Sequence, residues 1–270
     1  MNIYVTGPNG SLGSALLNLG CFPLVSDVTD FDAIHDEMKV KSPDVVIHLA
    51  GMNVDMSTAQ YEKASHVAIH GTANVIDRDM YPLTRFICVS SSHVFDGKRG
   101  NYKETAKPNP INDYGLIKFG AESVTRVSGG KVIRLSTCFH KNHPDILEWK
   151  SVLGLIGWDD NNSHIEVPTF IRRTYAHINH IAQGIMVFAA RYDFMPQTLH
   201  ISGTEDLSMY EFALAVATHY GWDKKLIEPR KKEIDNPNQA KRPHKAGLNT
   251  SLAKRSGIPL FSAYQGIELL

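Results

Sequence analysis

MNIYVTGPNGSLGSALLNLG, residues 1–20, opens the chain with a β-branched and aromatic run, a glycine turn and then a leucine-rich helical period. Residues 1–7 read as a strand. Gly7, Gly10 and Gly13 follow at G-x-x-G-x-x-G spacing, with Asn9, Ser11 and Leu12 between them. In that order the motif fits a phosphate loop: glycine lets the backbone turn tightly and approach an anion, and free N–H groups at the helix start face it. A plain βα turn also uses glycine, so the rest of the chain decides.

Outward from this loop, strands and helices alternate. FPLVSDV (22–28) reads as a short second strand, FDAIHDEMKVK (31–41) as a helix and DVVIHLAG (44–51) as an apolar strand. TAQYEKASHVAIHGTANVIDRDM (58–80) reads as one long helix, RFICVSSS (85–92) as a strand, then come a helix near 113–125 and the strand KVIRLST (131–137). Near-continuous apolar strands alternating with helices predict an α/β fold, a Rossmann-type doubly wound parallel sheet buried on both faces. After Ser136 the pattern loosens. Residues 140–168 mix loop with one helix, 174–191 are helical, TLHISG (198–203) suits a late sheet strand, 208–221 form an amphipathic helix and 228–247 are mostly loop. This predicts a dinucleotide-binding domain over 1–138, to which 170–203 return, and a smaller C-terminal substrate-binding lobe from 139–169 and 204–270.

Composition excludes several functions. Lys+Arg and Asp+Glu both number 28 in 270 residues, so no basic field draws nucleic acid or a membrane surface. No long uncharged apolar run suggests a membrane span, and the first residues lack a secretory pattern. Cys21, Cys88 and Cys138 are isolated, which argues against a disulfide framework or a zinc site and suits a reducing, cytoplasmic compartment. No metal site is expected. His140 and His143 read as loop residues without carboxylate or thiolate partners, and PRKKE (229–233) as a solvated charge run. Trp149 and Trp158 could line a pocket or fill the smaller lobe's core, and Trp149 suits the core better.

The chemistry centres on RFICVSSSHVFDG (85–97) and INDYGLIKFGAE (111–122). Tyr114 and Lys118 lie four apart, on one helix face. A carbonyl that receives a hydride gathers negative charge on oxygen and needs a proton donor in reach. Tyrosine is a weak acid at its ordinary pKa of about 10, and a neighbouring ammonium favours the phenolate. A serine hydroxyl can hold the substrate oxygen meanwhile. The pair alone also fits a surface helix.

Together these motifs resemble the extended branch of the short-chain dehydrogenase/reductases. TGPNGSLG, DVTD, PDVVIHLAG, VSSSHVFDG with YKET, YGLIKFGAE and AKRPHKAGLNTSLAKRSGI are similar to the dTDP-4-dehydrorhamnose reductase family over nearly the whole chain, with a weak middle near 139–200. The resemblance implies Ser91, Tyr114 and Lys118 as the catalytic set. It implies NADPH or NADH as cofactor, held by Gly7, Asn9, Gly10, Ser11, Leu12 and Gly13, by Asp27 and Val28 at the adenine, by Leu49, Ala50 and Gly51, by Tyr114, and by Lys118 at the nicotinamide ribose. A nucleotide-sugar substrate would meet Ser91, His93, Val94 and Arg242, with Arg172 and Arg173 nearby. The implied reaction reduces the 4-keto group of a nucleotide-activated 6-deoxysugar, and a homodimer is an arrangement the resemblance allows.

Three departures matter. His93 stands where the family has an aromatic, Val67 and Ala68 where it has Val-Asn, and the second strand is short, with the acid that would read the ribose 2′-hydroxyl not identifiable near its end, which leaves NADH and NADPH open. An epimerase or dehydratase of the same superfamily is one rival, weakened by Ser92 where a dehydratase carries an acid. A non-catalytic regulatory subunit of the same fold is the other, and the intact Ser91–Tyr114–Lys118 set argues against it.

Overall fold

The computed structural model describes residues 1–147, 164–233 and 240–270; Trp149 and Trp158 lie outside them. Among the described residues its main sheet has six strands, all parallel. They are β1 (Ile3–Thr6), β2 (Phe22–Pro23), β3 (Val45–His48), β4 (Arg85–Ser91), β5 (Lys131–Leu135) and the strand Thr198–His200. In space β2 forms one edge, followed by β1, β3, β4, β5 and Thr198–His200. Strand order reverses between β1 and β3, and a crevice opens beyond the carboxyl ends of strands at such a point. Register there pairs Thr6 with His48, and Ser91 with Leu135 on the far side.

Helices cover both faces. α1 (Ser11–Leu17) and Ile178–Ala190 bury Leu16, Ile181, Ile185 and Phe188 against Val5, Ile47 and Ile133. α2 (Phe31–Lys41) and α6 (Asp113–Val127) cover the other face, where Ile34, Met38 and Ala121 meet Val46, Phe86 and Cys88. These strands are apolar on both sides because both sides are packed. Smaller pairings build the remainder: Asp206–Ser208 antiparallel to Arg172–Thr174, Ile227–Arg230 parallel to Ile165–Pro168, and Cys138–Phe139 parallel to Ala176–His177. Their separate core holds Phe139, Val167, Tyr175 and Phe212, with the Tyr175 and Phe212 rings stacked at 4.1 Å.

Two readings of the sequence need correction. The helix expected over 58–80 is interrupted. α3 (Val54–Ala59) stops at Gln60, whose φ of −137° and ψ of 56° leave the helical region; α4 (Tyr61–Ser65) follows, then a π-turn over His66–His70, then α5 (Gly71–Val75). Gly71 sits so close to Val28 that a Cβ would meet its Cγ2 at 2.5 Å, so the helix approaches β2's loop only through a glycine. In the second, the end of the mixed loop-and-helix stretch 140–168 and the start of the loop 228–247 pair as strands, Ile165–Pro168 with Ile227–Arg230. Each is too short to show a period of its own.

Candidate active site

Thr6 ends β1 with a buried hydroxyl that accepts from the Leu49 and Ala50 N–H groups at 3.1 and 3.2 Å. This ties the phosphate loop to the end of β3. Gly7 then needs φ of +66°, which glycine adopts without penalty. Gly13 needs its missing side chain for space: a Cβ there would lie 2.4 Å from the Gly7 carbonyl oxygen and 2.8 Å from Pro8 Cα. α1 starts at Gly10 with no side-chain cap, so its first N–H groups are not taken up by a capping residue.

β4 ends in three serines, and the structure separates them. Ser90 and Ser92 are buried, whereas Ser91 is partly exposed and its Oγ accepts from the His93 N–H at 3.2 Å. Asn112 caps α6 and starts the helix that carries Tyr114 and Lys118. Gly115 lets that helix approach β4's end, since a Cβ would fall 2.1 Å from the His93 carbonyl oxygen. Lys118 Nζ donates to the Val89 carbonyl at 3.1 Å and lies 6.0 Å from the Tyr114 ring centre.

Gly7, Gly10, Ser11, Leu12, Gly13 and Leu49 thus share one cavity of about 350 Å³ with Ser91, Tyr114 and Lys118. Gly51 borders Lys118, where a Cβ would meet Nζ at 3.4 Å. Ala50 is tied to Thr6, and Asn9 is exposed. Beneath the site, His48 is sealed between Thr6, at 2.9 Å from Nδ1, and Phe86. Burial, with the Lys118 charge adding to it, pushes its pKa down to about 3, so Lys118 is not opposed by an imidazolium.

Other predicted residues stand elsewhere. Asp27 is exposed and its carboxylate is held by the Thr29 N–H and hydroxyl at 2.9 and 2.8 Å, which keep its pKa low. Val28 is buried in the core against α5's Gly71, so only its backbone can face a ligand. Val94 cannot offer a side chain to a substrate: the 3-10 turn after β4 points it inward, fully buried with Phe95, Tyr102 and Leu248. Ala68 is buried against Ala64 and Ile117 under α6.

Arg242 lines a second cavity of about 700 Å³, together with Lys98, Phe170, Arg230, Lys241 and His244. Its guanidinium reaches Asp55 on α3 at 3.1 Å. Arg230 was not anticipated. It belongs to the charge run read as solvated, yet the strand Ile227–Arg230 turns it into this cavity with a buried Nε that has no partner among the described residues. Arg173 is buried and donates to the Arg172 and His244 carbonyls at 2.7 and 2.8 Å; burial drops its pKa to about 10. Arg172 pairs with Glu211 at 3.2 Å. His143 does face a carboxylate, Asp145 at 3.9 Å, and no metal cluster involves it among the described residues. Among the described residues, His164, Glu166 and Glu228 form an exposed trio whose ligand atoms come within 4.8 Å of one another. No helix among the described residues is long and apolar enough to cross a membrane.

A doubly wound parallel sheet, a G-x-x-G-x-x-G loop and a Ser–Tyr–Lys set around one cavity define an extended short-chain dehydrogenase/reductase. The chain belongs to the family described as the RmlD substrate binding domain, whose model matches residues 1–267. Among solved structures it is similar to a hypothetical dTDP-4-dehydrorhamnose reductase from Sulfolobus tokodaii, at 25% identity and TM-score 0.81 over 94% of each chain. It has the fold of the Bacillus anthracis dTDP-4-dehydrorhamnose reductase solved with NADP, at 21% identity and TM-score 0.84 over 99% of this chain and 97% of that one. In sequence it is similar to the methionine adenosyltransferase 2 subunit beta of Rattus norvegicus, 25% identical over 281 residues that cover 95% of this chain and 82% of the relative. It is also 26% identical, over 93% of this chain and 90% of the relative, to a probable low-salt glycan biosynthesis reductase of Haloferax volcanii.

Proposed function

We propose that the chain reduces the 4-keto group of a nucleotide-activated 6-deoxysugar with NADPH or NADH. One observation carries this reading: the glycine loop, Ser91, Tyr114 and Lys118 converge on a single cavity. The family's reductases, the NADP in the Bacillus anthracis structure and the Haloferax volcanii reductase support it.

The residues fit a dinucleotide. The Gly7–Gly13 turn leaves a cradle that a Cβ would fill, and uncapped N–H groups at the start of α1 suit a pyrophosphate. When bound, dihydronicotinamide supplies the hydride. Ser91 Oγ holds the substrate carbonyl, and the Tyr114 hydroxyl gives its proton to the carbonyl oxygen as charge develops there. Lys118, whose Nζ borders Gly51, would stand beside the phenol and meet the ribose hydroxyls. Arg242 and Arg230 present guanidinium groups in the second cavity, where a diphosphate would be neutralised.

The test follows dihydronicotinamide absorbance with NADPH or NADH and a panel of nucleotide 4-keto-6-deoxysugars, with Tyr114→Phe alongside. Oxidation that falls by about 10²-fold or more in the variant is expected for loss of a general acid. No oxidation with any sugar overturns the reading. It would favour a second one, a non-catalytic regulatory subunit, which the similarity to methionine adenosyltransferase 2 subunit beta supports.

A further inference from the structure

Asn112 makes three hydrogen bonds that together decide the chemistry of the ring beside Tyr114. Its Oδ1 accepts from the Gly115 N–H at 2.8 Å and so caps α6. Its Nδ2 donates to the Lys241 carbonyl at 2.7 Å. A flipped amide would set a donor against the Gly115 N–H and an acceptor against the Lys241 carbonyl, so the orientation is fixed twice over. Nδ2 therefore also donates its second hydrogen to His93 Nδ1, 3.1 Å away. A neutral imidazole that accepts at Nδ1 carries its proton on Nε2.

The ring stays neutral. Burial is the main reason, and the nearby charges of Arg173 and Arg242 disfavour protonation further, which together push its pKa down to about 3. His93 Nε2 has no hydrogen-bond partner among the described residues. Unlike His48 Nε2 and both His200 nitrogens, it is not among the sealed orphans, and the residue is partly exposed. Its ring stands edge-on to Tyr114, centres 5.4 Å apart at 85°. In the chain it lies between Ser91, in the first cavity, and Asp96, in the second.

We infer that His93 is a specificity-determining residue, presenting a fixed Nε2–H donor to an oxygen of the sugar adjacent to the carbonyl that Tyr114 protonates. The inference rests on the reductase reading and adds a selection rule to it. A hydroxyl or keto oxygen at that position accepts the bond. A protonated amino substituent, which can only donate, is rejected, and a deoxy position gains nothing. An apolar aromatic side chain there would draw none of these distinctions.

Two measurements test it. The first reads the tautomer by nitrogen NMR of ring-¹⁵N histidine protein, with His93→Phe to assign the signals. Nδ1 should be pyridine-like and Nε2 pyrrole-like from pH 5 to 8, and Asn112→Asp, which keeps an N-cap acceptor but makes every atom facing His93 an acceptor, should abolish that pattern. An Nδ1–H tautomer or an imidazolium in the wild type overturns the proposal. The second compares KM and kcat on a sugar the wild type reduces. His93→Phe should raise KM about tenfold with kcat changed less, His93→Gln, whose amide can donate from a similar place, should recover most of the loss, and on the analogue deoxygenated beside the carbonyl wild type and His93→Phe should be alike. Equal KM for wild type and His93→Phe on the oxygenated sugar overturns this proposal alone. A wild type that reduces no sugar overturns the reductase reading, and this proposal with it.

Discussion

Glu122 is fully buried eight residues beyond Tyr114 on α6, and Arg134 on β5 is 1% exposed. Arg134 grips it with two bonds of 2.7 Å, Nε to Oε1 and Nη2 to Oε2, and Arg126 adds a third contact. The pair anchors the helix that carries Tyr114 and Lys118 to the strand beside Ser91. Glu122→Gln removes the charge and leaves Arg134 with one neutral acceptor in a closed site. Breaking such a pair from one side costs about 3–5 kcal/mol. At about 2–4 °C per kcal/mol for a chain of this size, the midpoint should fall by roughly 10 °C in calorimetry. Replacing both residues with methionine should cost much less, because no unpaired charge is left. The pH dependence has a defined sign. Burial raises the Glu122 pKa, but the Arg134 hydrogen bond and charge, with Ser90 and Arg126, outweigh it and hold the value below 4.5. A depressed carboxylate contributes stability that is full above its unfolded pKa and is lost as pH falls through the folded one. The wild type should therefore lose more stability than Glu122→Gln below pH 4.5. A loss under about 1 kcal/mol in Glu122→Gln at neutral pH, the scale of a single neutral hydrogen bond, would refute the anchoring argument.

Gly13→Ala forces a Cβ to 2.4 Å from the Gly7 carbonyl. It should destabilise by about 1–3 kcal/mol and weaken dihydronicotinamide binding, read by fluorescence titration; unchanged affinity would show that the loop does not hold the cofactor. Asp55→Asn breaks an ion pair whose side chains are 64% and 50% exposed, so the melting temperature should barely move. Freed of its partner, Arg242 should bind a nucleoside diphosphate more tightly by calorimetric titration, and weaker binding would exclude Arg242 as its contact.

The sequence made legible what is local and repeated. Buried strands such as VVIH and FICV carry their apolar runs openly, and the glycine loop is readable because its steric demands fall within a few residues. What escaped depends on approach in three dimensions. The break at Gln60 and the π-turn at His66–His70 lie in the stretch where Ile69 meets Gly120 of α6 and Gly71 meets Val28, close approaches that no helical period records. The resemblance implied Val94 as a substrate contact, yet one turn of 3-10 helix leaves His93 partly exposed and buries Val94 completely. Arg230 looked solvated within a charge run because its strand partner, Ile165–Pro168, is about sixty residues away in sequence.

Stability and catalysis can be told apart at Lys118. A chain that keeps this fold only to bind a partner needs Gly13, Gly115 and the Glu122–Arg134 pair, because each answers a packing or charge requirement. Lys118 answers a small one. It is partly exposed, and its one hydrogen bond among the described residues, to the Val89 carbonyl at 3.1 Å, contributes about 1 kcal/mol. Lys118→Met keeps the length of the side chain and the packing of its aliphatic stem, so it should cost no more than about 1 kcal/mol in denaturant unfolding. If the cavity is catalytic, the same change removes the cation beside Tyr114 and the ribose contact, and turnover should fall by about 10²-fold or more. A large loss of stability would make Lys118 a structural residue and remove its weight as evidence for an enzyme. A small loss of stability with turnover unchanged would leave the cavity without a catalytic centre.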